Sequence, residues 1–493
     1  MYNSIQCFAE NIIKKTGKIL ENIFYGTNSA VDLTATIMEE LNTLGCNLLA
    51  EAYETIDQML VESPVRLKKW TIEKRNQEKT ILDVPGVIRY KRTIFKNRET
   101  GECCYLTDEL PKLKFTPHQK VSLNVEANIL KNVTKQSYER SGSMASMTDK
   151  ASKQLVKRVV HDMTVFSSNK LPTQKKKVKS LYIAADEDHV SAQFNNKKGD
   201  LKYNDYGRKI NTLMPKLIVL YEGIEKESSD NAVRPRYKLT GKHVFSGIYK
   251  GGKKNTEFWD EVNDYIESHY DTDELKNVYI SGDGAAWIKR GLEVISKSKF
   301  VLDGFHMVKY INTATVHLGE DATLYKNRIW NSIYTLSRKE LKNTFEELLS
   351  KTLEIKPQKY DAVEEIFKYL KTNWKGIITR IKEKSECGTC CAEGLVSHIL
   401  SERLSSRPMG WSKQGCDNMA KLIAATLNGE DMLELLKLNV KKKLQEEHEE
   451  IRQDLARKYK VKQQLAKEPV MIPGTEKVGR KYIFKIVNNA IIF

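Results

Sequence analysis

Ser180-Leu-Tyr-Ile-Ala-Ala-Asp186-Glu-Asp-His-Val190 runs apolar for the length of a strand and then turns acidic. Residues 181–185 read as a buried strand that delivers a carboxylate to the turn after it. Downstream, 217–221 reads as a second strand and 237–249 as a third, with polar turns between them; 258–270 has the spacing of an amphipathic helix, and short strands follow at 278–281 and 300–302. Strands in succession, then strands alternating with helices, predict an α/β fold built on a mixed sheet flanked by helices. Residues 313–385 return to charged helical spacing, with Trp330 and Trp374 as anchors, which predicts a helical insertion. Two further helices, 395–404 and 418–427, surround Trp411, and 433–467 reads as a charged helical tail.

Upstream, residues 1–75 carry helical spacing, with Ile37, Leu41, Leu44, Leu48 and Leu49 on one side of a helix. From 80 to 106 the pattern changes to that of a small hairpin with a polar turn at 97–101. Helical spacing resumes from 118 to 163, where Thr148 is a candidate cap for a helix burying Leu155, Val156, Val159, Val160 and Met163. Lys150, Lys153, Lys157 and Arg158 lie mostly off that face. With the helix near 123–138 and the Ser141-Gly142-Ser143 break, this predicts a helix-turn-helix-like region that binds DNA. The plainer reading is a helical pair packed on its neighbours with a solvated basic face. Pro172 and the run Lys175, Lys176, Lys177 mark an exposed linker. The expected divisions are 1–75, 76–117, 118–170, 178–312, 313–385, 386–430 and 431–493.

Eighty-one Lys and Arg against sixty-four Asp and Glu leave a formal charge of +17, which favours a polyanionic partner through counterion release. Eight cysteines scattered over 493 residues are too sparse for a disulfide framework. Glu10, Asn11, Lys14 and Lys15 interrupt the first twenty residues, and no run approaches a membrane span, so the chain reads as cytoplasmic, without a membrane partner.

Three acids stand where a strand gives way to a turn: Asp186, Asp283 in Ser281-Gly-Asp-Gly284, and Asp303 in Leu302-Asp-Gly304. An α/β enzyme places ligands there because a strand end fixes a side chain at an open edge. Phosphodiester cleavage or transfer by two divalent cations about 4 Å apart needs several converging carboxylates. Asp beside Gly is also ordinary turn chemistry, and spacing alone does not decide between the two.

Four ordered blocks decide it. Ser180 to Val190, Tyr279-Ile-Ser-Gly-Asp283-Gly-Ala-Ala-Trp287, Leu302-Asp-Gly-Phe-His306, and Cys391-Ala-Glu393-Gly-Leu-Val-Ser-His398 with Arg403-Leu-Ser-Ser-Arg-Pro-Met-Gly-Trp411 resemble the ISLre-type transposases of bacterial insertion sequences. That family long carried only the description of an uncharacterised protein family and is distantly related to Mutator-like DDE transposases. The likeness extends over most of the chain, including Tyr105-Leu-Thr-Asp-Glu109.

The resemblance implies an RNase H-like catalytic core interrupted by the helical insertion and preceded by a mostly helical DNA-binding region. It makes Asp186, Asp283 and Glu393 the catalytic, metal-holding triad for two Mg²⁺ or Mn²⁺ ions. Asp303 and His306 take an accessory role near them, orienting a catalytic group or contacting DNA. It further implies cleavage of terminal inverted repeats, strand transfer into target double-stranded DNA, a homo-oligomer that joins two ends, and a nucleoid-associated location in a bacterial cytoplasm. An RNase H-like nuclease without strand transfer and a DNA-binding relic without catalysis are the alternatives.

Two rivals stay open at this stage: Asp188 for the first acid and Glu402 for the third. At about 100° per residue Glu393 and Glu402 both lie at the edges of the face made by Leu395, Val396, Ile399 and Leu400, and Glu393 is also an ordinary first-turn acid. Cys387, Cys390 and Cys391, with His398 and Cys416 elsewhere, lack the pairing of a zinc finger. They read as packing thiols.

Overall fold

The computed structural model describes residues 3–110, 119–193, 211–227, 237–388, 392–407 and 409–465. Five strands form its main sheet: β1 (Ser180–Glu187), β2 (Lys216–Tyr221), β3 (His243–Gly247), β4 (Asn277–Gly282) and β5 (Ser298–Leu302), in the order β3-β2-β1-β4-β5. β1 pairs antiparallel with β2, and β2 with β3, while β4 runs parallel to both β1 and β5. The sheet is mixed, as expected.

Both faces of this sheet are covered, which is why its central strands are unbroken apolar runs and do not alternate with polar residues. Leu181, Ile183 and Ala185 of β1 face a core with Ile218, Ile280 and the helix Gly252–His269, which contributes Phe258, Trp259, Val262 and Ile266. Ala184 of β1, with Leu217, Val219 and Val244, faces a second core shared with Val125, Val156, Val160 and Leu422. Those last residues belong to the helices Leu123–Val133, Lys153–His161 and Lys413–Leu427. The helical region around 118–163 therefore packs directly on the sheet. The Asn418 amide secures it by donating to Val160 O and Met163 O at 2.9 and 3.0 Å.

Ser152, and not Thr148, caps the helix Lys153–His161, its Oγ accepting from Leu155 N at 3.2 Å. Thr148 instead donates to Pro85 O at 3.1 Å. Both are good caps by type; the choice falls to Ser152 because Ala151 N is tied to Gly142 O, which keeps 151 outside the helix.

The stretch 237–249 is two strands. Gly241, at φ +58, breaks it, and a Cβ there would run into Glu222. Tyr237–Thr240 pairs with Gly223–Lys226 in a separate ribbon, and only β3 joins the sheet.

The N-terminal helices Asn3–Phe24, Ala30–Glu62 and Pro64–Lys69 stop short of 75. Strand Trp70–Leu82 follows and pairs with Val87–Asn97 across a tight turn at 83–86. Much of that first strand is exposed and polar, so hydrophobic periodicity carries no sign of it. The turn at 97–101 is present: Asn97 Oδ1 accepts from Glu99 N at 2.8 Å.

After β5 the chain is helical: Gly304–Thr315, Ala322–Tyr334, Arg338–Ile355, Tyr360–Thr372 and Trp374–Lys382. Trp374 is buried and Trp330 half-buried against Tyr334. Ala392–Val396 opens a further helix that passes through one wider, π-type turn at Ser397–Ser401 before Glu402–Leu404. A compact unit extends to Lys437. A second unit begins at Leu438, where residues 438–465 continue as helix with ion pairs such as Lys442–Glu446 at 3.9 Å.

Candidate active site

β1 and β4 bring the first two acids together. Ala184 is registered with Ser281, so carrying the parallel register on by two residues places Asp186 beside Asp283. Asp186 is the penultimate residue of β1, and Asp283 is the first residue after β4. Gly284 then turns the chain at φ +87, where a Cβ would collide with Asn373. Asp283 Oδ1 accepts from Ala285 N at 2.8 Å, closing the turn.

Burial pushes the Asp186 carboxyl up to about 6; its bond from Glu187 N opposes this, while the charges of Asp283 and Glu393 add to it. Neighbouring carboxylate charges thus act on Asp186 from two sides, with His306 opposing them, an arrangement that favours a bound cation. Glu393, exposed in the first turn of Ala392–Val396, acts on Asp186, while Glu402 opens the next helical segment, Glu402–Leu404. The wider turn between them breaks the regular 100° phase that makes the two glutamates equivalent in sequence. Asp188 is buried and accepts from Ser405 Oγ at 2.9 Å.

Asp303 directly follows β5 and its N–H donates to Gly282 O at 2.9 Å, so it sits against the end of β4. It caps Gly304–Thr315 by accepting from His306 N at 3.3 Å, and His306 Nδ1 approaches the same oxygen at 3.0 Å. That contact raises the His306 pKa against the opposing effect of burial, and Asp186 and Asp283 add to the rise. Burial alone would lift Asp303, yet its hydrogen bonds from His306 hold it below the usual range. The result is a hydrogen-bonded Asp303–His306 pair at the edge of the acid cluster, in which the charged form of the imidazole is favoured.

The acids are near one another, but among the described residues no three His, Cys, Asp or Glu side chains already converge as a metal-holding group. The donor set itself is all carboxylate, suited to hard cations such as Mg²⁺ or Mn²⁺. Cys387 is buried with Tyr279 and Val301, Cys416 lies in a different core, and Cys390 and Cys391 lie outside the described residues. His398 is exposed.

Lys150, Lys153, Lys157, Arg158, Lys175, Lys176 and Lys177 are all exposed. Lys153 pairs with Glu139 at 2.9 Å, Lys176 with Glu222 at 2.6 Å and Lys177 with Asp271 at 4.0 Å, surface contacts of small energy. Sequence reasoning missed Tyr369, whose hydroxyl reaches the Asp283 loop from the insertion, and Glu187, Lys216 and Trp287, which line a cavity beside it. The first has no local signal. Trp287 stands inside one of the four sequence blocks. Among the described residues no helix is long and apolar enough to cross a membrane.

Comparison with known proteins covers nearly the whole chain. Proteins of Caldanaerobacter subterraneus subsp. tengcongensis, named as UPF0236 proteins, are 33% identical over 427 residues, covering 87% of this chain and 84% of the relative. The name of that relative joins eleven locus designations of one genome. A UPF0236 protein of Streptococcus gallolyticus is 23% identical over 437 residues, covering 85% of this chain and 86% of the relative. Among solved structures, the Drosophila P element transposase strand transfer complex aligns over 68% of this chain and 83% of that one, at 10% identity and a TM-score of 0.22, too low to carry an argument. The model of the uncharacterised protein family UPF0236 matches residues 27–442, and the chain belongs to that family.

Proposed function

We propose that this chain is the DNA transposase of a bacterial insertion sequence, of the ISLre type, cutting transposon ends and joining them to target DNA. One observation carries the reading: Asp186, near the end of one strand, and Asp283, directly after the end of the parallel strand beside it, stand within electrostatic reach of each other, and Asp186 within that of Glu393 and His306. Three further features support it. A meander of three antiparallel strands extended by two parallel ones is the arrangement expected of an RNase H-like core. The chain is strongly basic. A relative whose name joins eleven loci is what an element that copies itself would leave in a genome.

In this reading Asp186, Asp283 and Glu393 would hold two Mg²⁺ or Mn²⁺ ions, which would supply Lewis-acid stabilisation of charge for displacement at phosphorus. The protein's own part is placement. Strand pairing fixes Asp186 and Asp283, and the helix from 392 brings Glu393 to them. His306, braced by Asp303, which favours its charged form, stands beside the acids, where a phosphate would lie. The exposed lysines and Arg158 around 150–158 and 175–177 hold duplex DNA by its phosphates. Two DNA ends must meet, so the working form is a homo-oligomer.

The test is strand transfer by purified protein on labelled transposon-end DNA in Mg²⁺ or Mn²⁺. Joined product from wild type, absent with Asp186→Ala, Asp283→Ala or Glu393→Ala but retained with Glu402→Ala, is the expected result. Cleavage without joining would make the protein a nuclease, and binding without cleavage a DNA-binding relic.

A further inference from the structure

The end of β1 separates two environments. Successive strand residues point to opposite faces, so where Asp186 turns to Asp283, Glu187 turns into a cavity of about 280 Å³. The cavity is anchored by two residues that are more than nine-tenths buried, Lys216 at 6% exposure and Trp287 at 7%. The Lys216 ammonium lies 4.6 Å from the centre of the Trp287 ring and donates to Asn255 Oδ1. Trp287 is fixed through its carbonyl, which accepts from Trp259 Nε1 at 2.7 Å. Its own indole N–H is buried with no well-formed hydrogen bond, although the Glu187 carboxylate is close enough to feel it. A buried donor in this state is stabilised by any ligand that brings an acceptor.

The mouth has a different character. Lys250 and Lys413 line it and are exposed. Gly251 lines it too, and precedes the helix Gly252–His269 at φ +86 with no capping side chain, so no side chain satisfies that helix's first N–H groups. Cations and an open helix start suit a phosphate. Further in, Leu213 and Ile248 offer apolar wall, and the indole N–H and Glu187 offer a donor and an acceptor for a planar base. Glu187, which lines the cavity, lies within electrostatic reach of Asp283, so a group in the cavity lies close to that acid.

We propose that this cavity holds a single unpaired nucleotide of the DNA strand whose phosphodiester lies at Asp186 and Asp283, with its phosphate at Lys250 and Lys413 and its base against Trp287. The proposal rests on the function proposed above and adds a preference for single-stranded over duplex DNA at that point.

Binding is measured with the full chain in EDTA, so that no cleavage intervenes, using a short fluorescein-labelled single strand and the matching duplex over a range of salt. Lys250→Ala and Lys413→Ala are each expected to reduce the slope of log affinity against log salt for the single strand by about 0.7. The exposed Lys342→Ala control leaves it unchanged. Trp287→Phe, which keeps the ring and removes the N–H, is expected to weaken single-strand binding about fivefold. Absence of single-strand binding by wild type, or slopes unchanged in both lysine variants, overturns the proposal. Strand transfer that persists with unchanged slopes removes the cavity and leaves the transposase. Altered slopes in a protein that never joins DNA remove the transposase and leave the cavity.

Discussion

The Tyr369 hydroxyl donates a 2.7 Å hydrogen bond to the carbonyl oxygen of Asp283, across 86 residues of sequence. Asn373, one turn further on, fills the space beside Gly284. The insertion thus holds the turn that presents the second acid. Tyr369→Phe removes one hydrogen bond and leaves the packing, so the expected loss of stability is about 1 kcal/mol. Strand transfer is expected to fall about tenfold or more, since a small displacement of a positioned group is costly. Chemical denaturation and single-turnover joining, measured on the same preparation, separate the two.

Asp186 is a strained acid in the absence of cations. Its pKa is raised from 3.8 to about 6, so the folded state binds the proton more tightly than the unfolded state does. Stability from this group is therefore full below pH ~4 and is lost as pH rises toward ~6. Asp186→Asn is expected to be inactive yet more stable than wild type in EDTA at pH 7, by about 2 kcal/mol after allowance for solvent screening. Added Mg²⁺ should raise the melting temperature of wild type and leave that of the variant nearly unchanged.

Asp303→Asn keeps a helix-capping oxygen and removes a charge. The His306 pKa, raised chiefly by Asp303, should fall, which NMR titration of the imidazole reads directly. A raised histidine contributes stability that is lost as pH rises through its folded value, and a depressed Asp303 contributes stability that is lost as pH falls through its own, so the variant should be destabilised most in the window between those two titrations. The alkaline limb of the strand-transfer profile should move to lower pH.

Lys157 and Arg158 are exposed on the helix whose buried residues Val156, Val159 and Val160 face the core. Replacing both by Ala should leave folding intact. The slope of log affinity against log salt on duplex DNA should fall by about 0.9 for each phosphate that is no longer neutralised. An unchanged slope would make the basic face merely solvated.

What the sequence made legible follows from which signals are local. Strands β1, β2, β4 and β5 are apolar runs bounded by turns, and their order along the chain is enough to predict a mixed sheet flanked by helices. Strand Trp70–Leu82 stays hidden because its pairing partner, and not its own composition, makes it a strand. Gly241 hides in a run that otherwise reads as one strand. Asp186 and Asp283 are readable as strand-end acids, and Asp188 as a rival by two residues; the Ser405 contact that engages Asp188 comes from 217 residues away and leaves no sign in the sequence. Tyr369 could not be found at all, since a hydroxyl that meets a carbonyl 86 residues away leaves no pattern.

The wider turn at Ser397–Ser401 carries an implication for the length of this helix. Such a turn accommodates one residue more than a regular helix needs, so it works as a phase adjuster between two ends with separate duties. On one side Glu393 must look toward the acids; on the other Arg403 and Leu404 must look inward, Arg403 donating to Val133 O at 2.8 Å. Winding all of its residues as regular α-helix would rotate one end against the other by about 100°. The two ends could then no longer both be satisfied, although every side chain that contacts anything would still be present.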